Sequence, residues 1–295
     1  MMKVVKTCIT AVIMAFSLPT IHAEDTIRVI MIGAHPDDCE ISAGGTAALF
    51  TRMGHKVKFV SLTNGNKGHH LLKPNEIRTR REKEMQEVAR ILHVEYDYLD
   101  NNDGELMPTV DNRKAVIRMI CDWKADMVIT HRPNDYHPDH RNASIIVQDA
   151  AYMVGVPLMV PGGEPLRKPP VFLYMADGFQ KPAPFSPDIV IDFSPVAEQK
   201  LDAICANTSQ VDEWLPWIGG YEDKMPADKE GQRKYTGDLY LMELKSVINF
   251  KEAARKWYSP QQIANSAYFE AFEICEYGKI PDREEIKALF PMLPK

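Results

Sequence analysis

A chain of 295 residues with 45% hydrophobic and 26% charged residues is long enough for one large α/β domain and too apolar to be disordered. Its formal net charge is −6, with no basic run, which excludes nucleic acid and anionic membrane surfaces as natural partners. No internal repeat or low-complexity tract interrupts it.

The first 23 residues stand apart. Lys3 and Lys6 form a positive start, Cys8 to Pro19 is a short apolar run, and Ala23 closes a cleavage-type end before Glu24-Asp25. This is the order of an export signal, and the run is short for a membrane span. The expected division is 1–23 signal peptide, 24–280 one large folded domain and 281–295 a Pro-interrupted tail, with a periplasmic or secreted location and no membrane span after cleavage. Cleavage removes two lysines and no acid, taking the formal charge from −6 to −8. Four cysteines would remain, Cys39, Cys121, Cys205 and Cys275, without CxxC spacing. They read as buried free thiols rather than a zinc set, with pairing left open by their wide spacing.

Thr26 to Ile32 is an apolar, β-branched run and predicts a buried strand. Gly33 ends it, and Ala34-His35-Pro36-Asp37-Asp38-Cys39-Glu40 follows before a helix over 41–53. Lys56 to Leu62 predicts a second strand, ending in a polar loop that carries His69 and His70. A helix over 75–92 starts near Arg78, Arg80 and Arg81, with Met85, Val88, Ile91 and Leu92 as its core stripe. A short strand over 96–99 leads to a loop with Asp103, and a helix over 112–123 follows. Met127 to Thr130 is the next strand. After it come His131-Arg132-Pro133-Asn134-Asp135-Tyr136-His137-Pro138-Asp139-His140 and a helix over 142–154.

Alternating strands and helices predict an α/β, Rossmann-like, mostly parallel sheet with helices on both faces and C-terminal elaborations. No GxGxxG follows the first strand, which argues against a dinucleotide site. Residues 155–187 read as a long Pro/Gly-rich excursion containing a strand, Val171 to Met175; 188–192 is another strand, and Ser194-Pro195 opens a helix over 196–207. Residues 219–237 read as a mobile loop and 239–257 as a helix. For 267–276 the pattern alone allows helix or strand.

Two His-Pro-Asp triplets at equivalent strand-to-helix crossings are hard to explain as turn chemistry. Together, AHPDDCE at 34–40 and HPDH at 137–140 resemble the PIG-L/LmbE-like family of zinc-dependent N-acetylglucosaminyl deacetylases, over about Ile27 to Tyr277. The resemblance implies that His35, Asp38 and His140 hold a divalent ion, that Asp37 is the general base, and that His137 is an acid or oxyanion donor, or else a fourth ligand. Asp139 would fix an imidazole. Two imidazole nitrogens and a carboxylate suit Zn2+, and also Fe2+. Arg81 is the expected sugar contact, with Arg78 and Arg80 as alternatives. His69, His70, Asp103 and Asp135 are further candidates for hydroxyl binding. At 200–210, KLDAICANTSQ resembles the family again, but Asn207 stands where a His is usual.

The implied reaction is hydrolysis of an N-acetyl group on a small GlcNAc-type sugar or glycoconjugate. Cleavage of another amide or an ester on the same scaffold, and sugar binding around a structural metal, remain as alternatives. The sequence sets no oligomeric state.

Overall fold

The computed structural model describes residues 26–241 and 250–294. The expected signal segment, and part of the helix expected over 239–257, lie outside them.

Strands β1 (Arg28–Gly33), β2 (Lys56–Ser61), β3 (Glu95–Tyr98), β4 (Met127–Thr130), β5 (Val171–Met175), β6 (Ile189–Asp192) and β7 (Phe269–Ile274) form one sheet in the order β3-β2-β1-β4-β5-β7-β6. The β3, β2, β1, β4 and β5 pairings are parallel. β7 runs antiparallel to both its neighbours, so the sheet is mixed, with one reversed strand. That settles 267–276 as a strand. Its local pattern fits a helix equally well, and only pairing with β5 and β6 decides.

The central strands are buried on both faces, which explains their unbroken apolar runs. Val29, Met31, Val57, Phe59, Met127 and Ile129 face one core, shared with helices α1 (Asp38–Arg52), α2 (Pro74–Leu92) and α5 (Ala197–Cys205). Ile30, Ile32, Val60 and Val128 face the other, closed by α3 (Val110–Trp123) and α4 (Pro138–Met153). The chain winds outward from β1 to β3, then restarts at β4 on the other side. The crevice beyond the carboxyl ends of β1 and β4 is therefore the topological switch point, where doubly wound sheets bind ligands.

Both crossings at that crevice are tighter than expected. α1 begins at Asp38 and α4 at Pro138, so Asp38 and His140 sit in first helical turns rather than in loops. The α4 start is capped by His137, whose Nδ1 accepts from the Asp139 amide at 3.2 Å, with Pro138 in the position proline favours. The apolar stripe begins only at Ala143, which is why periodicity places the start too late.

Beyond α5, a π-helical turn (Ser209–Trp214) runs into α6 (Leu215–Gly219). The loop expected over 219–237 contains instead α7 (Lys229–Tyr240), capped by Asp228. α8 (Phe250–Ala254) and α9 (Pro260–Asn265) precede β7. The segment expected as a tail, 281–295, forms α10 (Arg283–Leu289) and packs on the core through Ile286, Phe290 and Leu293. Phe290 lies against Phe50 and Phe272, with ring centroids 5.7 and 6.1 Å away. All four cysteines of the described chain are free thiols, three of them buried. Among the described residues no helix is long and apolar enough to cross a membrane.

Candidate active site

Hydrogen bonds to the three central histidines decide which ring nitrogens carry protons. His35 Nε2 lies 3.1 Å from Asp139 Oδ2, and His140 Nδ1 lies 3.1 Å from Asp135 Oδ1. A carboxylate only accepts, so both of these nitrogens donate. That leaves lone pairs on His35 Nδ1 and His140 Nε2, which face each other at 3.2 Å. Asp38 completes the convergence. Its Oδ1 is 3.4 Å from His140 Nε2 and its Oδ2 is 3.7 Å from His35 Nδ1.

Two imidazole lone pairs and a carboxylate that reaches one ring through Oδ1 and the other through Oδ2 repel unless a cation lies among them. Donors placed tetrahedrally around zinc stand about 3.3–3.6 Å apart at ordinary bond lengths. The lone pairs suit a divalent ion held by His35, Asp38 and His140, and Asp38, His131 and His140 form a second set whose ligand atoms all lie within 4.8 Å of one another. The local field agrees. Burial opposes the His35 imidazolium, yet the Asp139 hydrogen bond and the Asp38 charge outweigh it and push His35 up to about 9, so the site favours positive charge and a bound ion would take the place of the Nδ1 proton. Burial likewise would raise Asp38, but His140 and His131 hold it well below the usual carboxylate range.

His137 has the opposite polarity. Its Nδ1 accepts the Asp139 amide, so in the neutral ring Nε2 carries the proton. Burial, with His35 and His140 beside it, lowers its pKa and favours that neutral form. The ring meets His35 edge-on, centroids 4.5 Å apart. His35, His137 and His140 also lie close enough together to be one ligand set. The tautomer that the Asp139 amide contact implies makes His137 a donor instead.

Asp37 sits beside this cluster at φ 124°, a strained conformation for a side-chain-bearing residue. Its backbone amide donates to the Tyr96 hydroxyl at 3.3 Å. Burial raises the Asp37 carboxyl to about 7, although Arg81 opposes the rise. Arg81 Nη2 is 3.1 Å from Asp37 Oδ2, while Nη1 donates to Glu84 and Asn207. Expected as a sugar contact, Arg81 is 1% exposed, and its guanidinium is committed to holding Asp37 from behind. Gly65 makes room for it. A Cβ there would lie 2.8 Å from Arg81 Cγ, and the glycine has φ 74°.

Asn207 belongs to the same buried layer. It accepts from Arg81 and donates to Glu40 Oε1 at 3.0 Å, well behind the convergence point. Asp103 braces the loop after β2 by accepting the Gly65 and Lys67 amides. Asp135 orients His140, and Asp139 orients His35 while also accepting the Gly104 and Leu106 amides. His69 and His70 lie outside the cavity lining: His69 is bound to Glu213 at 2.9 Å, and His70 is stacked between His69 and Trp217.

His131 was missed as a candidate, although it is the first residue beyond β4. Its Nε2 is 3.0 Å from Asp38 Oδ2, and its ring stacks on His140 at 4.2 Å. It steers both a carboxylate and an imidazole of the proposed ligand set. Position at a strand's carboxyl end was the available signal.

The convergence point lies at the floor of a cavity of about 490 Å³. Asp37, Asp38, His137 and His140 lie at its base; Tyr136, Trp214, Leu215 and Ile41 add apolar wall, and Gln210 and Lys67 add polar wall.

Comparison with known proteins agrees with this architecture. The profile of the PIG-L family, described as GlcNAc-PI de-N-acetylase, matches residues 30–151. A diacetylchitobiose deacetylase from Thermococcus kodakarensis is 31% identical over 210 residues, 66% of this chain and 76% of that protein. In structure, the N,N'-diacetylchitobiose deacetylase of Pyrococcus horikoshii superposes with a TM-score of 0.62 at 23% identity, covering 86% of this chain and 85% of the other. A 4-carboxy-2-hydroxymuconate hydratase from Pseudomonas putida shares the fold with a TM-score of 0.66 at 18% identity, covering 88% and 99%. Paired motifs, switch-point site and sequence kinship give one conclusion: the chain belongs to the PIG-L/LmbE-like deacetylase family.

Proposed function

We propose that this protein is a metal-dependent hydrolase that removes the N-acetyl group from a GlcNAc-containing sugar or glycoconjugate. The observation that carries this reading is the convergence of two imidazole lone pairs and one carboxylate, with a buried carboxylate and an N–H donor beside them. A divalent ion held by His35, Asp38 and His140, with Zn2+ first and Fe2+ second, would supply Lewis acidity at this point.

The chain's own residues do the rest. Asp37 accepts the proton of the attacking water as the new C–O bond forms at the acetamide carbon. Arg81 holds that carboxylate in line, and the strained backbone at Asp37 is fixed by the first turn of α1. His137 Nε2–H donates to the oxyanion that develops, or to the nitrogen as the C–N bond breaks. The proton that Asp37 took ends on the departing amine, and acetate is the other product.

The hydratase relative raises a second reading, water addition to a polycarboxylate. The cavity's cations argue against it. Arg81 is paired with Asp37 and Glu84, and Lys67 with Glu105, so no free positive charge from these two faces a polyanion. A neutral sugar suits this wall better.

The test is acetate release from N,N'-diacetylchitobiose and GlcNAc glycosides, with metal stripped and then restored as Zn2+ or Fe2+. Restored activity supports the reading. Protein with full metal that releases no acetate from any of them sinks it. We further propose that it acts after export, with residues 1–23 removed.

A further inference from the structure

The π-helical turn Ser209–Trp214 carries an aromatic array that the reaction chemistry above does not use. Trp214 lines the cavity. Trp217 follows at 5.4 Å, with the two rings 23° apart. His70 stacks on Trp217 at 4.7 Å and 4°, and His69 stacks on His70 at 4.9 Å and 9°. His70 also lies 6.5 Å from Trp214 at 21°, so the rings form a near-parallel cluster rather than one column, running from Trp214 in the cavity wall to Trp217, which is 44% exposed.

The stack is held in place before any ligand arrives. Glu84 accepts from the Ser209 amide and hydroxyl, both at 2.7 Å. Arg80 and His69 both bind Glu213, next to Trp214. π-Turns cost regular hydrogen bonding and recur at functional sites. Here the turn is clamped from α2 and from the loop after β2, so ordering it costs a ligand little.

We propose that Trp214 and Trp217 form an outer subsite for a second pyranose ring, so that the preferred substrate is a disaccharide or longer amino sugar. This rests on the sugar-deacetylase reading of the same cavity. A pyranose has an apolar C–H face and a rim of hydroxyls. The platform matches both, offering the exposed part of the Trp217 indole beside Trp214, with the partly exposed carboxylate of Glu213 and with Gln210 in the cavity wall. Trp214 lines the cavity and the Trp217 ring lies 5.4 Å from it, close enough for one ligand to reach both.

The experiment compares kcat/KM for N,N'-diacetylchitobiose with that for free GlcNAc, in wild type, Trp217→Ala and Trp217→Phe. The expected result is a disaccharide-over-monosaccharide ratio about tenfold lower in Trp217→Ala, equivalent to ~1.4 kcal/mol. Trp217→Phe, which keeps a stacking face, should restore most of it. A ratio unchanged in Trp217→Ala overturns the proposal. Leu71 and Ile218 are also exposed nearby, so an octyl GlcNAc glycoside forms a third arm. If Trp217→Ala impairs that ligand more than chitobiose, the platform binds alkyl chains and the proposal fails. Calorimetric binding of chitobiose to Asp37→Asn and to the Asp37→Asn/Trp217→Ala double variant gives a readout without turnover. Tenfold weaker binding in the double variant supports the subsite even where the deacetylation reading has failed; equal binding refutes it.

Discussion

His35, His137 and His140 share a side chain, yet their hydrogen bonds assign them different work. Carboxylates claim one nitrogen of His35 and one of His140, which turns their lone pairs toward a common point. A backbone amide claims the acceptor of His137, which turns its N–H outward instead. His140→Ala should therefore lose bound metal and activity together, by elemental analysis and acetate release. His137→Ala should keep the metal and lose roughly 10² to 10³ in kcat, as for removal of one oxyanion donor. Loss of metal in His137→Ala would make it a ligand and refute the tautomer argument. Asp37→Asn keeps the size and the Arg81 contact but cannot take a proton. Its kcat should fall by about 10² to 10⁴ with metal content intact. Turnover near the wild-type level would remove Asp37 from the mechanism.

At the level of elements, the site depends on two helix starts and on what buttresses them. α1 and α4 bring Asp38 and His140 in on first turns, and α2 supplies Arg81 and Glu84 from behind. α1 is itself tied to the reversed strand. Glu270 of β7 accepts the Gly45 and Thr46 amides at 2.8 and 2.6 Å and pairs with buried Lys200 of α5 at 2.7 Å. The C-terminal helix α10 closes the same core. Phe290 is 1% exposed against Phe50 of α1 and Phe272 of β7. Phe290→Ala should destabilise the fold by about 3–5 kcal/mol, read as a lower urea midpoint at unchanged slope. A loss under 1 kcal/mol would mean that 281–295 is the dispensable tail its composition suggests.

For the whole molecule, one sheet sets the location of the chemistry. β1 and β4 are neighbours with parallel register, Ile32 opposite Thr130, so loops about a hundred residues apart in sequence open into one crevice. The export proposal belongs at this scale too. Intact-mass measurement of protein from the native host should show a chain starting near Glu24. A soluble pool retaining Met1 would refute it.

The sequence by itself determined the parallel core of the sheet and the two crossings. Buried strands write unbroken apolar runs, and His-Pro-Asp after each run marks its ligand-facing end. It also placed His35, Asp37, Asp38 and His140 within the observed cluster. It could not show that Arg81 pairs with Asp37, that Asp135 is bound to His140, or that His69 and His70 stack with Trp217. Nor could its local pattern separate β7 from a helix without the family resemblance, or identify 281–295 as core. Each of these depends on partners distant in sequence: Asn207 and Asp37 for Arg81, Glu213 for His69, and Phe50 and Phe272 for Phe290. Local patterning reports which face of an element is apolar. Only the packed chain decides which polar groups are left facing the ligand, because each buried hydrogen bond removes a donor or acceptor from that role.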